Sequence, residues 1–132
     1  MMTGKKVLVV DDEIHIVHVV AIKLRNNGYE VITANNGAEA FELTCKEKPD
    51  IVVTDFQMPV MTGLELVGKL RQNEATRDIP VILLTARSFA ISKEQQAELQ
   101  ISTCLSKPFS PRELLGYIED ILYQRQLTVD SR

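Results

Sequence analysis

Acidic, hydroxyl and basic side chains follow several short apolar runs of this 132-residue chain. Asp11 and Asp12 come directly after one run, and Asp55, Thr85 and Lys107 come after three later ones. If these runs are parallel strands, their carboxyl ends bring the five side chains to one edge of a sheet. A carboxylate can attack phosphorus and form an acyl phosphate. The set is therefore suited to phosphoryl transfer to a carboxylate, with Lys107 and the Thr85 hydroxyl near the charge that develops.

Three carboxylates at one edge require cations to offset their repulsion. Two unit charges about 4 Å apart repel by about 4 kcal/mol at an effective dielectric of about 20. Lys107 supplies one cation. The remaining negative charge and the oxygen ligands suit Mg²⁺, which takes one or two carboxylates together with waters and phosphate oxygens. Each residue alone has a common structural explanation as a turn or helix cap, so the joint pattern carries the prediction.

The elements that would position these residues alternate between apolar runs and amphipathic stretches. Strands are predicted over 7–10, 30–33, 51–54, 81–84 and 102–105. Helices are predicted from Ile14 to a cap at Asn27-Gly28, over 38–48, from Thr62 or Gly63 through Leu70, over 92–100, and from a Ser110 cap onward. In the first helix Ile14, Val17, Ala21 and Leu24 follow helical spacing. Right-handed crossovers between such elements give a three-layer α/β domain with a parallel sheet.

Composition and charge place the chain among globular proteins of one domain. Hydrophobic residues make up 45% and the formal net charge is -3, which argues against a general nucleic-acid binder. No apolar run approaches the ~18 residues of a membrane span, and none resembles a secretory signal. Cys45 and Cys104 lack metal-ligand spacing and are predicted to be free thiols in a reducing cytoplasm. We expect one domain over 1–126, followed by a frayed tail or the start of a linker over 127–132.

Several short motifs together resemble the receiver domain of two-component response regulators. They are Asp11-Asp12, Asp55 in IVVTDFQMPVMTG, Thr85 in VILLTA and Lys107 in SKPF, and the resemblance runs over about residues 5–126. It implies a flavodoxin-like three-layer sandwich, with five helices around a five-stranded parallel sheet of order 2-1-3-4-5. It also implies that Asp55 is the phosphoacceptor and that Lys107 and Thr85 contact the phosphoryl group once it is attached.

The resemblance further implies a cofactor and partners. Asp11, Asp12, Asp55 and the backbone carbonyl of Gln57 would hold Mg²⁺. A sensor histidine kinase or a phosphotransfer protein would donate the phosphoryl group, and the domain would switch conformation to control a partner or an output domain. Such a domain is a regulatory phosphoacceptor and not an enzyme beyond its own Mg²⁺-dependent phosphorylation and dephosphorylation. No direct contact with nucleic acid or a membrane is expected.

The chain departs from the usual receiver pattern near its fifth strand. Cys104 stands where receivers usually carry the Tyr or Phe of the switch, and we expect it to be a small buried hydrophobe. Ser102-Thr103 replaces an acidic pair that winged-helix regulators use in dimers, so a monomer is expected. We therefore predict that switching proceeds through the loops 56–63 and 86–92.

Three alternative functions are weaker. A flavodoxin would place a flavin phosphate against Asp11-Asp12-Glu13, which would repel it. An aspartyl-phosphate phosphatase requires a second acid two residues after the nucleophile, where this chain has Gln57. A phosphorylation-independent interaction module would not need the complete Asp, Thr and Lys set.

Overall fold

Five strands and five helices alternate in a computed structural model that describes residues 4–86 and 91–130. The strands are β1 (Lys6–Val10), β2 (Glu30–Ala34), β3 (Ile51–Asp55), β4 (Val81–Thr85) and β5 (Thr103–Ser106). The helices are α1 (Ile14–Asn26), α2 (Gly37–Glu47), α3 (Gly63–Gln72), α4 (Lys93–Glu98) and α5 (Pro111–Asp130). The alternation is as the sequence predicts.

The strands form one parallel sheet of order β2-β1-β3-β4-β5, which confirms the predicted flavodoxin-like topology. Every residue of β3 and β4 is buried. Continuous apolar runs are typical of parallel strands covered on both faces, because helices pack against each side. Carboxyl ends of parallel strands share one edge, so β1, β3, β4 and β5 all end beside one another.

Two apolar clusters hold the helices against the sheet. Alternate strand residues divide between them, since successive side chains of a strand point to opposite faces. Val53 of β3 joins the cluster with Leu24 of α1 and Leu114 of α5. Val52 joins the cluster with Leu66 and Leu70 of α3. The sheet is therefore a rigid platform for whatever its carboxyl edge carries.

Side-chain caps fix the starts of the helices near that edge. The Thr62 hydroxyl accepts a hydrogen bond from the Glu65 amide, while the Glu65 carboxylate accepts one from the Thr62 amide, which completes a capping box on α3. Ser110 caps α5 by accepting from the Glu113 amide at 3.0 Å. Both predicted helix starts are thus confirmed, and the chain leaving β3 and β5 is held in place.

The helices depart from simple pattern in two places. α5 continues to Asp130, so 127–130 is helical, while 131–132 lies outside the described residues. No Gly or Pro follows Gly116 to end the helix, and each added residue extends an existing ladder at little cost. Ile14 follows the same spacing as Val17, Ala21 and Leu24, yet it is 61% exposed at the first position of α1, whereas those three are buried.

Gly63 allows α3 to start close to the end of β3. A Cβ at Gly63 would lie 2.5 Å from the backbone oxygen of Asp55 and 2.9 Å from Cδ1 of Leu83. Gly63→Ala is therefore expected to lower the free energy of unfolding by about 1–3 kcal/mol. Gly68 of the same helix has open space around it, so Gly68→Ala should instead raise it by about 0.5–1 kcal/mol. Urea denaturation measures both, and equal stability of the two variants would contradict the close approach.

Candidate functional site

The carboxyl edge of the sheet gathers the side chains that the sequence singles out. Asp11 follows β1 directly, Asp55 is the last residue of β3, and Thr85 is the last residue of β4. Lys107 follows β5, and its amide donates to the Thr85 carbonyl at 2.7 Å. Residues separated by up to 96 positions thus share one edge.

Three carboxylates lie close enough to share one cation. One oxygen from each of Asp11, Asp12 and Asp55 falls within 4.8 Å of the others. Asp11 and Asp55 are buried, whereas Asp12 is exposed. The donor set consists of oxygens alone, and its excess of negative charge fits a small hard cation such as Mg²⁺. The exposed member leaves the cluster open to solvent.

The ammonium of Lys107 is the counter-charge at this edge. It lies 3.0 Å from Asp11 Oδ2, 3.1 Å from Glu13 Oε1 and 3.3 Å from Asp55 Oδ1. The sequence assigned no role to Glu13, although the third consecutive acid of Asp11-Asp12-Glu13 was a visible signal. Asp11 and Glu13 each accept a hydrogen bond from this ammonium, and Asp55 forms an ion pair with it.

Burial governs protonation at the site. It raises the pKa of Asp55 to about 6, with a further contribution from the charge of Asp11, while Lys107 opposes the shift. Burial also raises the pKa of Asp11, against the hydrogen bonds from the Glu13 amide and Lys107. Burial alone would lower the pKa of Lys107, but its hydrogen bonds to Asp11 and Glu13 outweigh that effect and raise it.

The pKa of Asp55 predicts how stability depends on pH when no metal is present. The folded carboxyl keeps its proton up to about pH 6, while the unfolded one loses it near its ordinary value of 3.8. The folded state binds more protons between these values, so the free energy of unfolding should fall as pH rises through them. Asp55→Asn should remove this fall, and it should raise the free energy of unfolding by about 1–3 kcal/mol at pH 7. Urea denaturation in EDTA at several pH values tests this, and parallel pH profiles of the two proteins would contradict it.

Thr85 and Cys104 lie on neighbouring strands and differ in whether their side chains have a hydrogen-bond partner. The Thr85 hydroxyl is buried and has no hydrogen-bond partner within the described residues. Cys104 was expected to be a simple buried hydrophobe, but it is half-buried and its sulfur accepts a hydrogen bond from Gln96 Nε2 of α4 at 2.9 Å. The Cys104 side chain is small enough for the Gln96 side-chain amide to pack against it.

An apolar groove of about 550 Å³ lies beside the acidic edge. Residues of α1 and of the segment between β5 and α5 line it, including His15, Val19 and Phe109. Glu13 and Lys107 stand at its border with the acidic cluster.

Gln57, two residues after Asp55, is exposed. Residues 87–90, which belong to the predicted switch loop 86–92, lie outside the described residues.

This sheet topology, with its acidic and lysine-bearing carboxyl edge, defines a receiver domain. The chain belongs to that family, since the model of the response regulator receiver domain matches residues 7–119. Such domains are regulatory parts of two-component signalling; phosphorylation on aspartate and Mg²⁺ binding at an acidic site are general properties of the family.

Individual relatives agree with this family. The chain is 39% identical over 121 residues to the phosphate regulon transcriptional regulatory protein PhoB of Pseudomonas aeruginosa, covering 92% of this chain and 53% of that protein. It is also 39% identical over 128 residues to the alkaline phosphatase synthesis transcriptional regulatory protein PhoP of Bacillus subtilis, covering 97% and 52%. The chain thus spans about half the length of these curated relatives.

Solved structures give the same fold. The chemotaxis response regulator CheY4 of Vibrio cholerae superposes with a TM-score of 0.83 at 36% identity, over 90% of this chain and 99% of that one. The receiver domain of a sensor histidine kinase from Pseudomonas aeruginosa superposes with a TM-score of 0.78 at 28% identity, over 92% and 97%, and carries magnesium in its active-site cleft. In the described part of the present chain, no helix has the length and apolarity to cross a membrane.

Proposed function

We propose that Asp55 is the phosphoacceptor and that Asp11, Asp12, Asp55 and the backbone carbonyl of Gln57 hold Mg²⁺. The observation that carries this proposal is the buried Asp55 carboxylate, which shares its surroundings with two further acids and with Lys107. Bound Mg²⁺ would supply positive charge for the phosphoryl oxygens. The raised pKa of Asp55 supports the need for such a cation, because burial and, after it, the charge of Asp11 disfavour the ionised carboxyl.

The residues of the site have distinct parts in the transfer. A carboxylate oxygen of Asp55 forms a bond to phosphorus while the phosphorus–nitrogen bond of a phosphohistidine breaks, and the electron pair leaves with the imidazole nitrogen. The ammonium of Lys107 donates to a phosphoryl oxygen as charge develops there. The Thr85 hydroxyl, buried without a partner among the described residues, then donates to another phosphoryl oxygen.

The donor is proposed to be a sensor histidine kinase or a phosphotransfer protein. Apolar side chains of α1 support a protein partner, since Val19 and Ile22 are 53% and 55% exposed. The groove beside them reaches Lys107, so a helix seated there would bring a phosphohistidine to Asp55. Contact with nucleic acid or a membrane is not part of the proposal, and the cytoplasm is the proposed location.

The output is proposed to be control of a partner or of an output domain. The curated relatives are transcriptional regulators by name and are about twice as long as the part this chain matches. The receiver is proposed to span 1–126, because the packed part of α5 includes Leu122 and the side chains beyond it are exposed as far as Leu127. Residues 127–132 would then be a C-terminal tail or the start of a linker.

Labelling with a small donor tests the function directly. The wild-type chain should take up close to one acid-labile phosphate from radiolabelled acetyl phosphate in Mg²⁺ and none in EDTA. Failure to label in Mg²⁺, with the fold intact by circular dichroism, would refute the proposal.

The switch is proposed to work through the loops after β3 and β4. Cys104 is held by Gln96 and has no ring to rotate, and Ser102-Thr103 offers no acid for pairing between monomers. Beryllofluoride with Mg²⁺ should therefore change amide chemical shifts most in 56–63 and 86–92, while light scattering still reports a monomer. The largest shifts in 102–105 with both loops unchanged, or a tight dimer through β5 and α5, would contradict this.

A further inference from the structure

The side chain of Glu13 does not serve the helix that it precedes. Glu13 is the N-cap of α1, yet its carboxylate accepts no capping hydrogen bond, whereas Asn36, Thr62 and Ser92 all cap their helices with their side chains. Instead Glu13 Oε1 accepts from Lys107 Nζ at 3.1 Å, across 94 residues of chain. The Glu13 amide in turn donates to Asp11 Oδ1 at 2.9 Å. The backbone is thus anchored at the site and the carboxylate points at the lysine.

The three carboxylates around Lys107 differ in what the reaction does to them. Asp11 and Asp55 belong to the cluster whose oxygens lie within 4.8 Å of one another, and Glu13 is outside it. Asp11 would become a ligand of the metal, and phosphorylation would convert the Asp55 carboxylate into an acyl phosphate. Among the three, Glu13 is therefore the partner of Lys107 that stays available throughout.

We propose that Glu13 is a positioning residue that keeps the Lys107 ammonium directed at the phosphoryl group. The inference rests on the proposed phosphorylation of Asp55. A lysine side chain has four flexible methylenes, so the loss of an anchor spreads its ammonium over many positions. Transition-state stabilisation requires groups placed to within about 0.5 Å, so this spread slows the transfer. The carboxylate of Glu13 is 60% exposed, which keeps the effect modest.

Glu13→Ala and Glu13→Gln of the full chain test this role. Alanine removes the acceptor, whereas glutamine keeps an oxygen that can accept from Lys107 and removes the charge. Glu47→Ala is the matched control, since Glu47 forms an ion pair with Lys6 at the same 3.1 Å at the opposite end of the sheet. Glu13→Ala should keep the fold, because no capping hydrogen bond is lost.

The readouts are the labelling rate from acetyl phosphate at saturation, the half-saturating donor concentration and the affinity for Mg²⁺. Glu13→Ala should lower the saturating rate about three- to tenfold, with the other two values changed less than about twofold. Glu13→Gln should recover at least half of the lost rate, and Glu47→Ala should match wild type. The side-chain resonances of Lys107 should broaden or shift in Glu13→Ala and not in Glu47→Ala.

Each contrary result has a defined meaning. A saturating rate of Glu13→Ala within twofold of wild type, or Glu13→Gln as slow as Glu13→Ala, would overturn the positioning role. A tenfold loss of Mg²⁺ affinity in Glu13→Ala would also overturn it, because Glu13 would then act through the metal. Wild-type protein that does not label at Asp55 would instead refute the proposed function itself.

Discussion

Replacing Asp55 by asparagine is expected to abolish labelling by acetyl phosphate. The amide has the shape of the carboxylate but lacks its nucleophilic oxygen, so no acyl phosphate can form. The fold should survive, because asparagine cannot ionise and therefore removes the cost of a buried charge. Burial already raises the pKa of the Asp55 carboxyl to about 6. Radiolabel incorporation in Mg²⁺, followed by acid lability, measures the effect.

Asp50→Asn is the matched control for this substitution. Asp50 precedes β3, at the opposite end of the strand from Asp55, and accepts a hydrogen bond from the Lys6 amide at 2.8 Å. An asparagine can still accept that bond, so the variant should fold and label as wild type does. Stoichiometric acid-labile phosphate on Asp55→Asn would show that another residue is the acceptor.

Asp12→Ala is expected to weaken Mg²⁺ binding by about tenfold or more. Its carboxylate lies within 4.8 Å of those of Asp11 and Asp55 and is the exposed member of the cluster. Loss of one charged ligand should cost about 1.4 kcal/mol or more, which corresponds to that factor. Because Asp12 is exposed, the substitution should leave the core and the free energy of unfolding nearly unchanged.

Calorimetric titration with Mg²⁺ measures this change. Asp120→Ala controls for the loss of one negative charge, since Asp120 is exposed on α5 and outside the acidic cluster. Its affinity should stay within about twofold of wild type. Equal affinities for Asp12→Ala and Asp120→Ala would mean that Asp12 does not hold the metal.

Local pattern in the sequence was sufficient for the elements and for the residues at their ends. β-Branched runs such as 51–54 predict buried strands, and caps such as Thr62 and Ser110 mark helix starts, because both signals act over a few residues. Right-handed crossovers then place Asp11, Asp55 and Lys107 at one edge. The resemblance supplied the strand order, which periodicity does not contain.

Contacts between distant residues, and the burial that follows from packing, were decided only by the tertiary structure. Nothing in the spacing of Glu13 and Lys107 predicts an ion pair across 94 residues, or that the Glu13 side chain leaves its own helix uncapped. The raised pKa of Asp55 likewise depends on how deeply the packed sheet and its neighbours enclose the carboxylate. Sequence alone therefore determined which of the predicted site residues lie at this edge. Folding determined which of these groups hydrogen-bond to one another and at what pH they are charged. Hydrogen bonding and protonation both depend on the exclusion of water by the whole domain.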